Sequence, residues 1–258
     1  MTSLYVFWQH PVSRSWFPVG ILQRTETGFE FAYTKGAEQT DEFIPFGRMN
    51  DLHKRYKSSH LFPFFSNRLM SPKRPEFHHF IHWIAAEQQA DDPLILLSRT
   101  GGKRATDPLV LYSKPEPNER NEFDLFFLCH GIEYLPRSAS DRIANLDVDE
   151  MLFPMFDVSN PYDPHAIAVR TGDPRHLIGY VPRFFVRELR TCIESARMED
   201  VYLKVARVNL EAPLQFRLLC RFTSPWPKGF KPWSQPEYQP LVEGASARHT
   251  IPEPTVVG

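Results

Sequence analysis

The 258-residue chain has few cysteines, no long apolar run and almost no net charge. Its three cysteines, Cys129, Cys192 and Cys220, are odd in number and widely spaced, which excludes a disulfide framework. Each has apolar neighbours, so we expect buried free thiols in a reducing, cytoplasmic compartment. No stretch approaches the roughly 18 consecutive apolar residues of a membrane span. Residues 1–10 lack a basic, signal-type start, so no signal peptide is expected.

The charge balance limits how the chain could meet nucleic acid. A formal net charge of −1 creates no overall positive field, so such binding needs a local patch. Hydrophobic residues make up 42% of the chain and aromatic residues 14%, which is enough for packed cores. The length favours two domains.

The usual sequence motifs of enzymes and metal sites are missing as well. There is no Gly-x-Ser-x-Gly elbow and no kinase motif. The segment 101–104, Gly-Gly-Lys-Arg, lacks the rest of a phosphate loop and predicts a turn with two solvated cations. His78 and His82 share a helical face, but the pattern supplies no third metal ligand. We therefore expect no catalytic residue, metal or cofactor, although a carboxylate cluster assembled in space stays open.

Proline-rich polar segments divide the chain. Residues 114–122 carry two prolines and no apolar face, which predicts a linker between domains at 1–113 and 123–224. Residues 225–258 form a proline-rich tail. Trp226, Phe230 and Trp233 predict that its first part packs on the body, and from about Val242 we expect it to be loose.

Hydrophobic periodicity predicts an α+β protein, with a mixed N-terminal domain and a small C-terminal β-barrel carrying one or two helices. In the first domain, strands are predicted at 4–8, 17–22 and 28–33, and the turn at 26–28 between the last two suggests a hairpin. A helix is predicted at 77–89, while 92–97 is a short apolar run. In the second domain, strands are predicted at 124–128, 151–158, 166–170, 178–181, 201–208 and 216–222. A short helix or turn is predicted at 141–146 and a helix at 183–196. The basic run at 53–57 is interpreted as a solvated helix face, with a nucleic-acid contact as the alternative.

The most informative motif is Asn160-Pro161-Tyr162-Asp163, followed by Ala-Ile-x-Val and then by Ile178-Gly179-Tyr180-Val181-Pro182-Arg183. In this combination, residues 123–224 resemble a HIRAN domain. In fork-remodelling helicases such domains are small barrels that hold the 3′ end of single-stranded DNA. The resemblance implies a nucleic-acid site made by Tyr134, Asn160, Tyr162, Asp163, Tyr180 and Arg183.

The resemblance also implies a role for most of these side chains. Tyr162 and Tyr134, the latter expected on the first strand, would stack on bases. Asp163 would accept a hydrogen bond from a terminal hydroxyl while repelling a phosphate, and Asn160 would add polar contacts. Arg183 would hold a phosphate.

Two features depart from that expectation. DNA-binding relatives carry arginine immediately before the stacking tyrosine, where this chain has Glu133. Residues 123–224 also hold 14 carboxylates against 12 Lys and Arg. The motif moreover fits an ordinary turn, in which Asn160 and Asp163 bind their own backbone. A barrel that has lost DNA binding is therefore the alternative.

The first domain resembles a second family. Residues 4–113 are similar to the N-terminal subdomain of HipA-type kinases in the segments 18–22, 28–33, 61–70 and 96–102. This resemblance implies docking to a protein, such as a HipA-type kinase or another effector in toxin–antitoxin or phage defence. The expected function is thus a non-catalytic accessory protein that binds DNA ends and docks a partner. The alternative is an antitoxin-like interaction regulator without DNA binding.

Overall fold

The computed structural model describes residues 3–242. The N-terminal half contains a five-stranded antiparallel sheet in the order β4-β3-β2-β1-β5. Two of its three helices pack on this sheet, and the helix Phe77–Trp83 packs instead against Leu96 and against Leu128 and Leu219 of the C-terminal half. The elements of the N-terminal half are β1 (Ser3–Gln9), β2 (Trp16–Thr25), β3 (Gly28–Tyr33), β4 (Tyr56–Ser58), α1 (Pro63–Ser66), α2 (Phe77–Trp83), α3 (Pro93–Thr100) and β5 (Leu109–Ser113). The three predicted strands are present, and β2 and β3 form the predicted hairpin.

Two sequence-based predictions for this half need correction, and one segment that was left unassigned is helical. The helix predicted at 77–89 ends at Trp83, because Ala85 adopts a left-handed φ of 50°. The apolar run 92–97 lies mostly in helix α3, which the Asp92 carboxylate caps by accepting from the Leu94 amide at 2.9 Å. The basic run 53–57 leads into β4 and is not helical. Its Arg55 forms an ion pair with Glu30, so this cation has a structural role.

The C-terminal half is a six-stranded antiparallel sheet in the order β6-β11-β10-β7-β8-β9. Its elements are β6 (Glu122–Leu128), α4 (Arg137–Ala144), β7 (Met151–Phe156), β8 (Ile167–Arg170), β9 (Leu177–Tyr180), α5 (Val186–Ser195), β10 (Tyr202–Val208) and β11 (Leu218–Pro225). The predicted strand 151–158 ends earlier, at Phe156. The predicted helix 183–196 begins with a 3-10 turn, Arg183–Phe185, and continues as α5.

The second sheet curls so that its two edges meet. His130, just beyond β6, exchanges two backbone hydrogen bonds of 2.9 Å with Tyr180 on β9. The meeting point requires glycine at position 179, since φ is 144° and a Cβ there would overlap the sulfur of Cys129. The glycine of the Ile-Gly-Tyr motif is thus explained by the approach of the two edges.

The two halves share a hydrophobic core. The Trp233 ring, which is 1% exposed, lies 5.2 Å from that of Tyr5, 5.3 Å from that of Phe7 and 5.8 Å from that of Phe185. On another side, the guanidinium of Arg99 on α3 lies 4.1 Å from the ring centre of Phe126 on β6. The side chains of both halves pack into one shared core. The domain boundaries predicted at 113 and 123 therefore stay a prediction.

The first part of the C-terminal tail packs on the body, as its aromatic residues predict. Trp226 donates its amide to the Asn121 carbonyl at 3.0 Å, and the Leu241 amide reaches the Tyr33 carbonyl of the N-terminal sheet at 2.9 Å. The part predicted to be loose lies almost wholly outside the described residues. Among the helices of residues 3–242, none has the length and apolar character needed to cross a membrane.

Candidate functional site

The connection between β7 and β8 is a tight turn held by its own side chains. The Asn160 Oδ1 accepts hydrogen bonds from the amides of Tyr162 at 3.0 Å and Asp163 at 3.2 Å. The Asp163 Oδ1 in turn accepts from the His165 amide at 3.0 Å. Asn160 and Asp163 therefore stabilise the turn itself, which is what the alternative interpretation of the motif predicts.

The turn leaves Tyr162 without a packing role. Its side chain is 87% exposed, and that of Tyr134 is 85% exposed, the highest values among the large apolar side chains described. Tyr134 does not lie on the first strand, as expected from the sequence, but in a 3-10 turn, Ile132–Tyr134, that follows it. Exposed aromatic rings of this size are candidates for contact with a ligand, since burial would otherwise stabilise the fold.

Arg183 connects the turn to the start of α5. Its Nη2 donates to the Tyr162 carbonyl at 3.1 Å and to the Asp163 Oδ2 at 3.2 Å. The other guanidinium nitrogens of Arg183 make no hydrogen bond within residues 3–242. The site thus places a half-exposed cation and a carboxylate directly beside the exposed Tyr162 ring.

Tyr180 is hydrogen-bonded to Asp157 and lies against the backbone of Gly131. Its hydroxyl donates to the Asp157 Oδ2 at 3.1 Å, and the Asn160 Nδ2 donates to the same oxygen at 3.2 Å. A Cβ on Gly131 would lie 3.3 Å from the Tyr180 ring, and the Gly131 carbonyl accepts from the Tyr134 amide at 3.1 Å. Desolvation, followed by the bond to Asp157, raises the pKa of Tyr180.

Sequence reasoning missed Asp157, which anchors both Tyr180 and Asn160. Only its position, three residues before Asn160, could have indicated it, since a side chain at that spacing can reach the next turn residue. Hydrogen bonds join Asn160, Tyr162, Asp163 and Arg183, and Asp157 joins Tyr180 to Asn160. Tyr134 is related to this group only through the backbone of Gly131, which lies against the Tyr180 ring.

His130 lies at the meeting point of the two sheet edges, and the pKa of its imidazole depends on the charges around it. Neighbouring protein atoms partly desolvate the imidazole and lower its pKa, and because the residue is exposed, solvent limits this effect. The Lys103 ammonium lowers this pKa further, and the Glu133 carboxylate raises it. The solvated cation predicted in the Gly-Gly-Lys-Arg turn thus contributes positive potential near the site, where Glu133 contributes negative potential.

The described residues do not assemble a metal centre. Within residues 3–242 there is no group of three or more His, Cys, Asp or Glu side chains placed to hold an ion. Of the two histidines at metal-like spacing, His82 instead has its Nδ1 at 3.0 Å from the Glu87 Oε1. The residues that could contact a ligand are therefore aromatic, cationic and amide groups rather than a metal-binding set.

Comparisons with known proteins bear on the C-terminal half. Among solved structures, a protein from Lactobacillus plantarum has 18% sequence identity and a TM-score of 0.31, covering 40% of this chain and 96% of that chain. The HIRAN domain of human HLTF has 18% identity and a TM-score of 0.30, covering 42% of this chain and 81% of that chain. No curated protein matches the sequence.

The family model described as HIRAN domain matches residues 123–223, which confirms the resemblance inferred from the motif. Residues 123–223 of this chain are a HIRAN domain.

Proposed function

We propose that this protein is a non-catalytic module that binds the 3′ end of single-stranded DNA at the HIRAN domain. The observation that carries the proposal is the exposed ring of Tyr162 flanked by Arg183 and Asp163. A second exposed ring, Tyr134, follows the Gly131 backbone that lies against Tyr180. Every base has a π face, so such rings bind single strands with little dependence on base identity.

The polar groups beside Tyr162 suit a strand terminus. The Arg183 fork would hold the phosphate that precedes the last nucleotide. The Asp163 carboxylate would accept a hydrogen bond from a free 3′ hydroxyl but would repel a terminal phosphate. Because the Arg183 Nη2 already contacts Asp163, the carboxylate is fixed in place before a strand arrives, which reduces the entropy lost on binding.

The negative charge of Glu133 should lower the affinity for every strand more than it changes which strand terminus is preferred. Glu133 is exposed next to Tyr134 and opposes a phosphate backbone. Lys103 of the N-terminal half and Glu133 both act on the His130 imidazole, with opposite signs. The positive charge of Lys103 therefore compensates the negative charge of Glu133 in part. We therefore expect weak binding that depends on stacking, with a small slope against salt concentration.

The test is fluorescence anisotropy with a short labelled strand ending in a 3′ hydroxyl, compared with the same strand ending in a 3′ phosphate. The proposal requires tighter binding of the hydroxyl end at both low and moderate salt, with little change when the bases are changed. The matched control is the same strand labelled at its 3′ end, which blocks the terminus. Equal binding of all three strands, or no binding at low salt, contradicts the proposal.

A second candidate is docking of a protein, in line with the resemblance of residues 4–113 to HipA-type kinases. It is favoured by Val12 and Ile44, which are 84% and 80% exposed. Their loops are joined where the His10 Nε2 lies 3.3 Å from the Glu42 Oε2. A purified HipA-type kinase should co-elute with the chain in gel filtration, and Ile44→Asp should abolish the complex. If the kinase still co-elutes with the Ile44→Asp variant, the surface around Val12 and Ile44 is not the docking site.

A further inference from the structure

The outward side of β7 is apolar, although it faces solvent. Met151, Phe153 and Met155 alternate along the strand and are 36%, 39% and 44% exposed, while Leu152 between them is buried in the core. An antiparallel strand with one solvated face normally carries polar residues on that face. Three consecutive outward apolar side chains therefore indicate contact with something other than water.

The strands beside β7 add cations to this face. Arg170 on β8 is paired with Phe153, and its guanidinium lies 4.6 Å from the Phe153 ring centre. Lys204 on β10 is paired with Met151, and its ammonium lies 5.7 Å from the ring centre of Tyr202, which is 44% exposed. Within residues 3–242, neither Arg170 nor Lys204 forms an ion pair with a carboxylate. Each aromatic ring of the face thus has a cation without an acidic partner.

Carboxylates near the outer sheet surface are mostly neutralised. Asp124 makes a two-point ion pair with Arg221, with distances of 2.8 and 2.7 Å, and Glu150 is paired with Arg142. Asp149 remains exposed two residues before Met151. The positive charge without an acidic partner on this face therefore comes from Arg170 beside Phe153 and from Lys204 beside Met151 and Tyr202.

The face is continuous with the tyrosine site. Met155 on β7 is paired with Ala168 on β8, which is paired with Tyr180 on β9, so these three side chains point to the same side of the sheet. Ala168 is fully buried between its neighbours, so Met155 and Tyr180 are the members of this row that reach the surface. Tyr180 donates to Asp157 and so belongs to the site described above. With strands about 4.8 Å apart, the row from Tyr180 to Met155 spans about 10 Å. The path from there to Phe153 and Tyr202 adds about 12 Å more.

We propose that this outer face holds the nucleotides that precede the 3′ terminus. It consists of Phe153, Met155, Arg170, Tyr202 and Lys204. Bases would stack on Phe153 and Tyr202, and the phosphates between them would approach Arg170 and Lys204. This inference rests on the proposed function, since it uses the bound terminus as the start of the path. A nucleic-acid strand is the occupant because each aromatic ring is accompanied by a cation, whereas a purely apolar partner would leave both cations desolvated.

The test separates the path from the terminus by varying strand length. Anisotropy competition would compare a thymidine dinucleotide, tetranucleotide, hexanucleotide and octanucleotide, each ending in a 3′ hydroxyl. For the unchanged protein, affinity should rise with length beyond the dinucleotide and then level off. Phe153→Ala and Tyr202→Ala should each weaken octanucleotide binding by roughly fivefold to a hundredfold and leave dinucleotide binding unchanged. Leu210→Ala, which removes an exposed apolar side chain just beyond the C-terminal end of β10, is the matched control and should change neither.

Each outcome decides one of the two proposals. Dinucleotide binding with no gain for longer strands overturns the path and leaves the end site intact. Equal weakening of the dinucleotide and the octanucleotide in both alanine variants also overturns it. Absence of binding at every length overturns the proposed function and the path together. Lys204→Gln supplies a second variant that does not alter packing, and it should reduce the salt dependence of octanucleotide binding but not of dinucleotide binding.

Discussion

Arg183 and Asp163 form an ion pair in which the Nη2 and the Oδ2 are 3.2 Å apart, and the same nitrogen donates to the Tyr162 carbonyl at 3.1 Å. One arginine thus fixes the orientation of both the carboxylate and the peptide that carries the exposed ring. A ligand that draws Arg183 away would change both. The opposed charges make the site sensitive to the chemistry of a strand terminus.

Asp163→Asn should reverse the preference between ends. The amide keeps the size of the side chain but removes the charge that repels a terminal phosphate and competes for Arg183. We expect weaker binding of the 3′ hydroxyl strand and tighter binding of the 3′ phosphate strand, measured by anisotropy at low salt. Asp173→Asn, a change in the neighbouring β8–β9 connection, is the control. Parallel losses for both strands would show that Asp163 only supports the turn.

Tyr162→Ala should weaken single-strand binding by about 1–3 kcal/mol through the loss of stacking. Because the side chain is 87% exposed, the midpoint of thermal unfolding should stay nearly the same. Tyr162→Phe keeps the ring and should bind close to normally. If the alanine variant binds as tightly as the unchanged protein, the ring is not a stacking platform. If it unfolds at a clearly lower temperature, its role is in the fold.

Glu188 makes the stability of the protein depend on pH. It is 3% exposed on α5, and burial raises its pKa to about 7, partly offset by its own backbone amide and by the charge of Arg187. The folded state therefore holds a proton that the unfolded state releases near pH 4.5. Its stability should fall as pH rises through the window between about 4.5 and 7.

Glu188→Gln removes this titration while keeping the shape of the side chain. The variant should unfold with a free energy close to that of the unchanged protein at pH 5. At pH 8 it should be more stable, by up to about 3 kcal/mol. Urea unfolding at the two pH values measures the difference. Glu194→Gln, on the exposed side of the same helix, is the control and should show no such trend. A constant difference for Glu188→Gln at both pH values would contradict the buried titration.

Much of the fold was accessible from local patterns. Alternation predicted the β2–β3 hairpin, and the motif around Asn160 identified the C-terminal family. Patterns of apolar residues alone were not sufficient at two helices. The short apolar run at 92–97 was left unassigned, although Asp92 and Pro93 are local signals that start a helix there. The helix at 77–89 is interrupted because Ile84 is fully buried and Ala85 turns the chain.

The sequence predicted most members of the candidate site but left two roles open for Asn160 and Asp163. Both hold the turn, as the ordinary-turn interpretation predicted, and the residue pattern alone does not decide whether they also contact a ligand. The outer face of β7 had a visible signal, since Met151, Phe153 and Met155 alternate with Leu152 and Pro154. A strand apolar on both sides was interpreted only as a strand, and its solvent exposure depends on which neighbours cover it.

Trp233 should control the cooperativity of the whole protein. Its ring is 1% exposed and contacts Tyr5 and Phe7 of the first sheet and Phe185 of the second half. Trp233→Ala should lower the free energy of unfolding by about 3–5 kcal/mol, because it removes a large side chain from a core that both halves share. The measurement is urea unfolding followed by circular dichroism and by intrinsic fluorescence.

The shape of that transition distinguishes a shared core from two independent domains. The unchanged protein should unfold in a single step by both probes, since neither half buries its core alone. Trp226→Ala, at a partly buried position against Phe123, is the matched control and should cost less while keeping one transition. In Trp233→Ala the unfolding curves from circular dichroism and from fluorescence should no longer coincide, because the halves lose the side chain that couples them. The two unfolding curves could instead coincide in Trp233→Ala, with a loss in free energy of unfolding equal to that of Trp226→Ala. That result would place the coupling between the halves elsewhere, in the contact of Arg99 with Phe126.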